Sequence, residues 1–405
     1  MTSSTHAGPE IAPARQTPAP LWLLALLTFC GTAAIHIFVP ALPQVVQAFG
    51  TTASAARMTL SAYIIGLALA QIIYGPVADY FGRRPVLIAG MAIYAVAGAV
   101  AFLAPTIQVL IAARFFEAMG GGSGLVLGRA MVRDGSRHDE AAKRLSLMNL
   151  IVLVGPGISP LIGAGLAAAT GWRSIFLVLC LLGLLNLALV WKRLPRSTRA
   201  ADMRPKAVMR NYLALLRSRR FQGYALGGGF ATTAIYAYVG AAPFIFVEQL
   251  HRPAVEVAGY LAFNILGVWF GSLMASRLAG RIPLERLLIA GNLLSGLGAV
   301  AFLLVVLGGL LNVPITVLLM LVVSYGAGLA SPMALTLALS QNPAATGSAS
   351  GLYGFVQMVV GAFCAAASGL GGDPARAAAV VLTGSGLVAQ LSFWIAQHSR
   401  NDGST

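Results

Sequence analysis

The sequence predicts an all-α integral membrane protein in which twelve spanning helices form two halves of six. Three observations support this prediction. Of the 405 residues, 58% are hydrophobic and only 10% are charged, whereas soluble domains are about 25% charged. The apolar residues fall into twelve runs of about 20 residues or more, the length that a helix needs to cross a bilayer. The basic residues cluster in alternate loops, which is typical of a multi-pass topology.

The apolar runs place the spans in order along the chain. The predicted spans are 21–46, 55–78, 84–104, 107–131, 140–168, 173–193, 220–247, 255–279, 284–309, 314–340, 345–370 and 376–397. Several exceed the minimum length, so we expect tilted helices. The first run is too long for the core of a signal peptide, and we expect it to be retained as a span.

Polar segments divide the chain into its predicted parts. An N-terminal tail, 1–20, is rich in Pro, Ala, Thr and Ser and is predicted to be disordered. A basic linker, 194–219, separates an N-terminal half, 21–193, from a C-terminal half, 220–397, and a short tail, 398–405, follows. Two six-span repeats joined in this way are typical of transporters whose substrate site lies near the bilayer midplane, between the halves.

The net charge of +15 is explained by topology. If the N-terminus is cytoplasmic, 22 of the 27 Lys and Arg residues fall on the cytoplasmic side and Arg114 falls inside a span. This asymmetry obeys the positive-inside rule, so both termini are predicted to be cytoplasmic. The positive charge therefore favours contact with anionic lipid head groups and argues against a nucleic-acid partner. The three cysteines lie in separate apolar runs and are interpreted as packing residues.

A charged turn between the second and third spans carries a family signature. Residues 75–85 read Gly-Pro-Val-Ala-Asp-Tyr-Phe-Gly-Arg-Arg-Pro. This segment resembles the loop signature of the major facilitator superfamily, whose members are secondary transporters with the two-halved fold. Asp79 is predicted to face the start of the eleventh span, near residues 346–347, where free amides and the helix dipole favour an anion, so that the arginines form a cytoplasmic gate. The alternative is that the arginines only hold the loop on the cytoplasmic side. The residues of this predicted gate motif are Gly75, Asp79, Gly82, Arg83 and Arg84.

Further motifs in the same order resemble one branch of that superfamily. Residues 37–43, 114–121 and 347–355 are similar to first-, fourth- and eleventh-span motifs of the bicyclomycin/chloramphenicol-resistance group of bacterial drug:proton antiporters. Residues 155–163 resemble the fifth-span antiporter motif. That resemblance implies a hinge and seal between the two halves, formed by Gly155, Pro156, Pro160 and Gly163. The alternative is a kinked helix that serves only packing.

Two positions depart from the group and concern titratable side chains. His36 stands where the group usually carries Asp, and Glu117 stands where it usually carries Gln. Arg114 and Glu117 are three residues apart and so share one helix face. Each charge alone would cost about 2.5–3.5 kcal/mol at midmembrane, and pairing explains why both are tolerated. The pair is either a structural salt bridge or, together with His36, the site of proton coupling, and the sequence does not choose which residue carries the proton. The alternative for His36 is a neutral side chain that is hydrogen-bonded to a neighbouring helix.

Polar and aromatic residues on the predicted cavity helices are candidates for substrate contact, because transported amphiphiles need mostly apolar pockets with a few polar groups. The alternative for each is a role in packing. The candidates are Tyr63, Gln71, Tyr236, Tyr238, Asn264, Trp269, Tyr325, Tyr353 and Gln357.

The predicted function is proton-coupled export of a small amphiphilic compound, such as an antibiotic or a secreted siderophore-type metabolite, by alternating access. No nucleotide-binding loop of the P-loop pattern is present, so we expect protons and the substrate as partners and no nucleotide, cofactor or metal. The protein is predicted to be a monomer in the bacterial inner membrane and not an enzyme. A symporter or uniporter is one alternative, and an integral-membrane transferase is another.

Overall fold

The computed structural model describes residues 20–134, 155–194, 205–341, 346–370 and 372–399. Within these residues, eleven helices are long and apolar enough to cross a membrane. A further helix at 155–170 belongs to the predicted fifth span, whose first part, 140–154, lies outside the described residues. Most of the two tails and residues 195–204 of the linker also lie outside them. The predicted all-helical membrane fold is confirmed.

The helices of the first half are α1 (Leu21–Phe38), α2 (Leu42–Phe49), α3 (Ala53–Phe81), α4 (Arg83–Phe102), α5 (Ile107–Asp134), α6 (155–170) and α7 (Arg173–Arg193). The linker and the second half contain α8 (Pro205–Arg217), α9 (Arg219–Thr233), α10 (Ile235–Phe244), α11 (Ala254–Leu278), α12 (Leu284–Leu307), α13 (Val313–Leu339), α14 (Thr346–Ala367) and α15 (Pro374–His398). The first span thus comprises α1 and α2, and the seventh comprises α9, α10 and a π-helical turn, Ile245–Gln249.

The first span is interrupted where prolines occur. A 3-10 turn, Val39–Ala41, separates α1 from α2, because Pro40 cannot donate the backbone hydrogen bond that continues an α-helix. Pro43 lies in the first turn of α2, where its missing N–H is tolerated. The regular α-helix therefore ends two residues after His36.

Each half is organised around one central helix. In the first half, α5 packs against α1, α3 and α4, and in the second half α13 packs against α9, α11 and α12. Contact between the halves runs mainly along α3 and α14. The two halves therefore meet along a pair of long helices, with a central space left beside them.

Glycine allows the central helix of the first half to approach its neighbour closely. A Cβ atom at Gly120 of α5 would lie 2.4 Å from the backbone nitrogen of Tyr94 and 2.6 Å from the carbonyl oxygen of Gly90, both in α4. No side chain fits there, because real Cβ contacts are longer. Such small residues at interfaces are the usual means of packing helices in a membrane, where lipid offers no hydrophobic driving force.

The predicted basic linker contains a helix that the sequence analysis did not foresee. Helix α8 packs against α9 and α14. Burial raises the pKa of Tyr212 in this helix, and the nearby Asp79 carboxylate raises it further. The linker is therefore held against the end of the bundle that carries the gate motif. We call this end, with the turns at 82 and 279–283 and helix α8, the basic end, and the opposite end the far end.

Candidate functional site

A central cavity of about 220 Å³ lies between the two halves. The first half contributes residues from α1, the 3-10 turn and α6, and the second half contributes residues from α9, α10, α11, α13 and α14. Its walls are mainly apolar, with a few polar side chains. The polar and aromatic lining residues are His36, Thr232, Thr233, Tyr236, Asn264, Ser324, Ser331 and Gln357. Among the described residues that line it, none is Asp, Glu, Lys or Arg.

His36 and Tyr236 face each other across the two halves. Their ring centroids are 6.3 Å apart with an interplanar angle of 33°, and both side chains line the cavity. His36 reaches the cavity because it lies on the last turn of α1, directly before the proline-induced break. The structure therefore brings one predicted coupling residue and one predicted cavity residue together in the cavity, one from each half.

Hydrogen bonds fix the polar groups contributed by the second half. Ser324 Oγ donates to Asn264 Oδ1 at 2.8 Å. Gln357 Nε2 donates to Thr232 Oγ1 at 2.8 Å, and Thr233 Oγ1 donates to the carbonyl oxygen of Gln357 at 2.9 Å. Asn264 and Gln357 were predicted to line the cavity, and the structure places them there. Its polar lining is thus held in place by neighbouring hydroxyl groups.

The hydroxyl groups that hold these amides were not among the residues predicted from the sequence. Ser324, Thr232 and Thr233 are small residues within apolar runs, where most hydroxyl groups bond only to their own helix backbone. A signal was nevertheless present, because Thr232 lies four residues before Tyr236 and therefore on the same helical face.

Arg114 and Glu117 form a fully buried ion pair inside the first half. Arg114 Nη1 lies 2.7 Å from Glu117 Oε2, and neither side chain is exposed. The guanidinium also donates from Nη2 to the carbonyl oxygen of Ala34 at 2.9 Å. It stacks over the ring of Tyr63 at 4.0 Å, and such a desolvated cation–π contact contributes about 2 kcal/mol. The pair lies outside the cavity lining and is bonded to the backbone of α1, the helix that carries His36.

One oxygen of the pair is left without a donor. Glu117 Oε1 is buried and accepts no hydrogen bond from any residue that the structure describes. An unpaired buried carboxylate oxygen is costly, and a functional site is one setting in which that cost persists. The Glu117 carboxylate thus pairs with Arg114 through one oxygen and keeps the other oxygen available as a hydrogen-bond acceptor.

Three predicted cavity tyrosines are buried in helix packing. Tyr63 donates to the carbonyl oxygen of Gly31 at 2.9 Å beneath Arg114. Tyr238 is 1% exposed and does not line the cavity. Tyr353 is also buried, its ring lies against Gly228, and its hydroxyl has no hydrogen-bond partner among the described residues.

The remaining predicted cavity residues also lie elsewhere. Gln71 of α3 fills the space beside Gly351 and Gly354 of α14. Trp269 is 40% exposed on the outer surface of α11 and contacts Phe270 edge-on. The backbone of Tyr325 packs against Gly271. Hydropathy does not distinguish a polar side chain that faces a cavity from one that faces a neighbouring helix, and this explains the difference.

The predicted hinge motif lies between the cavity and α1. Pro156 and Pro160 line the cavity. A Cβ atom at Gly163 would lie 1.7 Å from the carbonyl oxygen of Ile37, and one at Gly155 would lie 3.0 Å from the ring of Phe29. Helix α6 therefore packs directly on the backbone of α1 near His36, a position from which movement of α6 would be transmitted to the cavity.

The predicted gate motif forms the turn between α3 and α4. Gly82 ends α3 with a φ of +89°, a left-handed conformation that favours glycine. Arg84 Nη2 donates to the carbonyl oxygen of Trp191 at 2.6 Å, which ties the turn to α7. A Cβ atom at Gly75 would meet no other atom within 4 Å. The predicted contact of Asp79 with the start of the eleventh span, near residues 346–347, stays a prediction.

The far end is closed by contacts between the halves. Arg57 of α3 is 4% exposed, donates from Nη1 to the carbonyl oxygen of Ser368, and lies over the ring of Phe244 at 4.8 Å. Within the second half, Gln249 Nε2 donates to Asp373 Oδ1 at 2.8 Å. Burial alone raises the pKa of Asp373, but hydrogen bonds from Gln249, Arg376 and Ala375 lower it overall. Arg57 is therefore a buried contact between the halves, a role that the charge count along the sequence did not predict.

A family model described as the Major Facilitator Superfamily matches residues 24–365. The chain therefore belongs to the major facilitator superfamily, as the gate motif and the two-halved fold indicate. Members of this family are membrane transporters.

Relatives place the chain within the transporter family more closely. It is 29% identical over 381 residues to an uncharacterised transporter, YdgK, of Bacillus subtilis, and the match covers 92% of this chain and 94% of the relative. It is 26% identical to a bicyclomycin resistance protein homolog of Haemophilus influenzae, with coverage of 84% and 86%. The second likeness is consistent with the drug:proton antiporter group that the motifs resemble.

A solved structure shares the fold. The crystal structure of a D-xylose-proton symporter superposes with a TM-score of 0.73 and 16% identity, covering 95% of this chain and 98% of that one. At this identity the likeness concerns architecture alone.

Proposed function

We propose that this transporter exports a small amphiphilic compound in exchange for protons, by alternating exposure of the central cavity to the two sides of the membrane. The mostly apolar cavity with a few fixed polar groups supports an amphiphilic substrate. The relative named for bicyclomycin resistance supports export of antibiotic-like compounds. A secreted metabolite of siderophore type is compatible with the same cavity chemistry.

The buried Arg114–Glu117 pair is the observation that carries the proposal of proton coupling. Ionisable residues inside membrane spans are costly and serve ion pathways and proton relays. Glu117 Oε1 accepts no hydrogen bond from the described residues and is available to a proton. Protonation of that oxygen would remove the negative partner of Arg114 without removing the side chain.

Helix α1 provides the connection between the ion pair and the substrate. Arg114 Nη2 holds the carbonyl oxygen of Ala34, and His36, two residues further along α1, lines the cavity. When Glu117 gains a proton, its electrostatic attraction to the Arg114 guanidinium weakens. The guanidinium can then bind another acceptor, and its hydrogen bond to the Ala34 carbonyl of α1 changes. A shift of α1 at the break beside His36 then alters the cavity. The reverse sequence, in which the substrate displaces His36, releases the proton.

The charge distribution supports one membrane orientation. The basic end would face the cytoplasm of a bacterial inner membrane, in accordance with the positive-inside rule. The contacts of Arg57 with Ser368 and Phe244 would then close the external side. The hinge motif on α6 and the gate motif at Gly82 would move with the first half, and a monomer is sufficient for the cycle.

Proton symport is the second candidate, because the chain shares its fold with a D-xylose-proton symporter. The two mechanisms move protons in opposite directions when substrate is added. In antiport, substrate entering a vesicle drives protons out. In symport, substrate entering a vesicle brings protons in.

The test uses purified protein in proteoliposomes that are acidic inside and contain a pH-sensitive dye. A panel of antibiotics, dyes and siderophores is added outside, with protein-free liposomes as the control. We expect at least one compound to raise the internal pH only when the protein is present. Further acidification would establish symport instead. A panel that leaves the internal pH unchanged, while the same compounds accumulate in vesicles with protein, would overturn proton coupling.

A further inference from the structure

We infer that the cavity recognises an uncharged compound through a donor–acceptor pair, in which the Asn264 side chain donates a hydrogen bond to the substrate and the Gln357 side chain accepts one from it. Ser324 and Thr232 are positioning residues that fix the direction of each amide. This inference rests on the cavity being the transport site proposed above, and it adds the substrate class and the residues that select it.

The direction of the Asn264 amide is set by Ser324. The Ser324 hydroxyl is fully buried and donates to Asn264 Oδ1 at 2.8 Å, so that oxygen is already engaged. The NH₂ group of Asn264 makes no hydrogen bond to the residues that the structure describes, although the side chain is only 4% exposed and lines the cavity. This NH₂ group is a donor within the wall of the cavity, and an acceptor on a bound ligand would pair with it.

The direction of the Gln357 amide is set by Thr232 in the same manner. Gln357 Nε2 donates to Thr232 Oγ1 at 2.8 Å, and Thr233 Oγ1 holds the Gln357 backbone at 2.9 Å. The side-chain oxygen of Gln357 accepts no hydrogen bond within the described part of the chain, and it belongs to a residue that lines the cavity. It is therefore an acceptor that a ligand N–H or O–H group would fill.

The lining also determines the charge of the ligand. No acidic residue, lysine or arginine is among the described lining residues, and the Arg114–Glu117 pair is engaged elsewhere. An unpaired charge transferred into such surroundings carries a large desolvation cost. The ligand class that fits is a neutral molecule with a carbonyl or other acceptor for Asn264 and an N–H or hydroxyl for Gln357. The apolar wall and the facing rings of His36 and Tyr236 would contact the rest of the molecule.

Equilibrium binding to detergent-purified protein tests this inference without a proton gradient, so its result is independent of the proposed coupling. Three probes are compared. Chloramphenicol is neutral and carries amide and hydroxyl groups, ethidium is a permanent cation, and 1-naphthalenesulfonate is an anion. We expect chloramphenicol to bind wild-type protein at least tenfold more tightly than either ion. Equal or tighter binding of an ion, or no chloramphenicol binding at all, would overturn the inference.

Variants of similar volume test the named side chains. Asn264→Leu and Gln357→Met each remove one hydrogen bond to the ligand and should weaken chloramphenicol binding about 3- to 10-fold. Ser324→Ala leaves the Asn264 amide free to reverse, so binding should weaken about threefold while the unfolding temperature changes little. Thr336→Val is the matched control, because this exposed threonine of α13 bonds only to its own helix and should bind as wild type.

A structural role and a recognition role give different results. If Asn264→Leu and Gln357→Met bind chloramphenicol as wild-type protein does, the donor–acceptor pair does not exist. A variant that does not fold is detected by its thermal unfolding profile. In that case, the comparison of the three probes on wild-type protein tests the preference for an uncharged ligand without any variant. Weakened chloramphenicol binding in both variants, at unfolding temperatures close to that of wild-type protein, would support the recognition role.

Discussion

At the scale of single residues, the site depends on atoms that the rest of the protein leaves unsatisfied. Glu117 Oε1 is buried without a donor among the described residues, while the other carboxylate oxygen and the Nη1 and Nη2 atoms of Arg114 are engaged. The amides that line the cavity follow the same principle, since one end of each is held by a hydroxyl group. Fixed groups with one free end are suited to binding a proton or a ligand.

The contact between α6 and α1 gives a prediction for two neighbouring glycines. Gly163→Ala would place a Cβ atom 1.7 Å from the Ile37 carbonyl oxygen, whereas Gly165→Ala would meet no atom within 4 Å. We expect Gly163→Ala to destabilise the protein by about 1–3 kcal/mol, as other overpacked sites do. Gly165→Ala should be neutral or stabilising, because alanine favours helix.

Thermal unfolding in detergent, followed by circular dichroism, compares these two variants with wild-type protein. Similar unfolding temperatures for Gly163→Ala and Gly165→Ala would show that α6 does not lie against α1 as described.

At the scale of secondary-structure elements, the far end is closed by a small set of side chains that connect α3 with the ends of α10 and α14. The buried Arg57 guanidinium is central, because it contacts both the Ser368 carbonyl oxygen and the Phe244 ring. Hydrogen bonds to charged groups contribute about 1.5–3 kcal/mol, which is enough to shift the balance between a closed and an open far end.

Replacing Arg57 should therefore open the far end more often. Ser54 and Gly369 lie next to each other there, since a Cβ atom at Gly369 would be 3.7 Å from the Ser54 Cα atom. A Ser54→Cys, Gly369→Cys pair suits a disulfide, and its rate of oxidation reports closure. We expect Arg57→Gln to slow cross-linking at least threefold. Arg252→Gln should leave it unchanged, because Arg252 pairs with Glu256 on the exposed surface of the same end. An unaltered rate in Arg57→Gln would exclude the closing role.

The sequence predicted the positions of the helices more accurately than it predicted which side chains face the cavity. Long apolar runs ended by Gly, Pro or charged residues predict spans such as α7, whose bounds, Arg173–Arg193, equal the predicted 173–193. Helix α8, which packs on α9 and α14, was missed because the basic charge of the linker hides its apolar residues, of which Leu215 is buried. Lipid and protein interiors are equally apolar, so hydropathy alone did not predict that Tyr238 is packed inside the bundle while Tyr236 lines the cavity.

At the scale of the whole molecule, the first half contains the buried charges and the second half supplies most of the polar lining of the cavity. The intramembrane pair was evident from the spacing of Arg114 and Glu117. The separation of the pair from the cavity was not evident, because the sequence does not show that the pair and the cavity lie on different sides of α1. This separation means that proton and substrate would be linked through movement of α1 and not through direct contact.

The most direct test of this account measures two activities of Glu117→Gln in proteoliposomes, using a substrate identified by the pH assay. The account predicts that proton-driven transport is lost, while exchange of labelled for unlabelled substrate at equal pH is retained, because the cavity is intact and glutamine cannot bind and release the proton. Glu256→Gln, which changes an acid of the exposed ion pair with Arg252, should retain both activities. Full proton-driven transport by Glu117→Gln would contradict the account and leave the buried pair with a structural role alone.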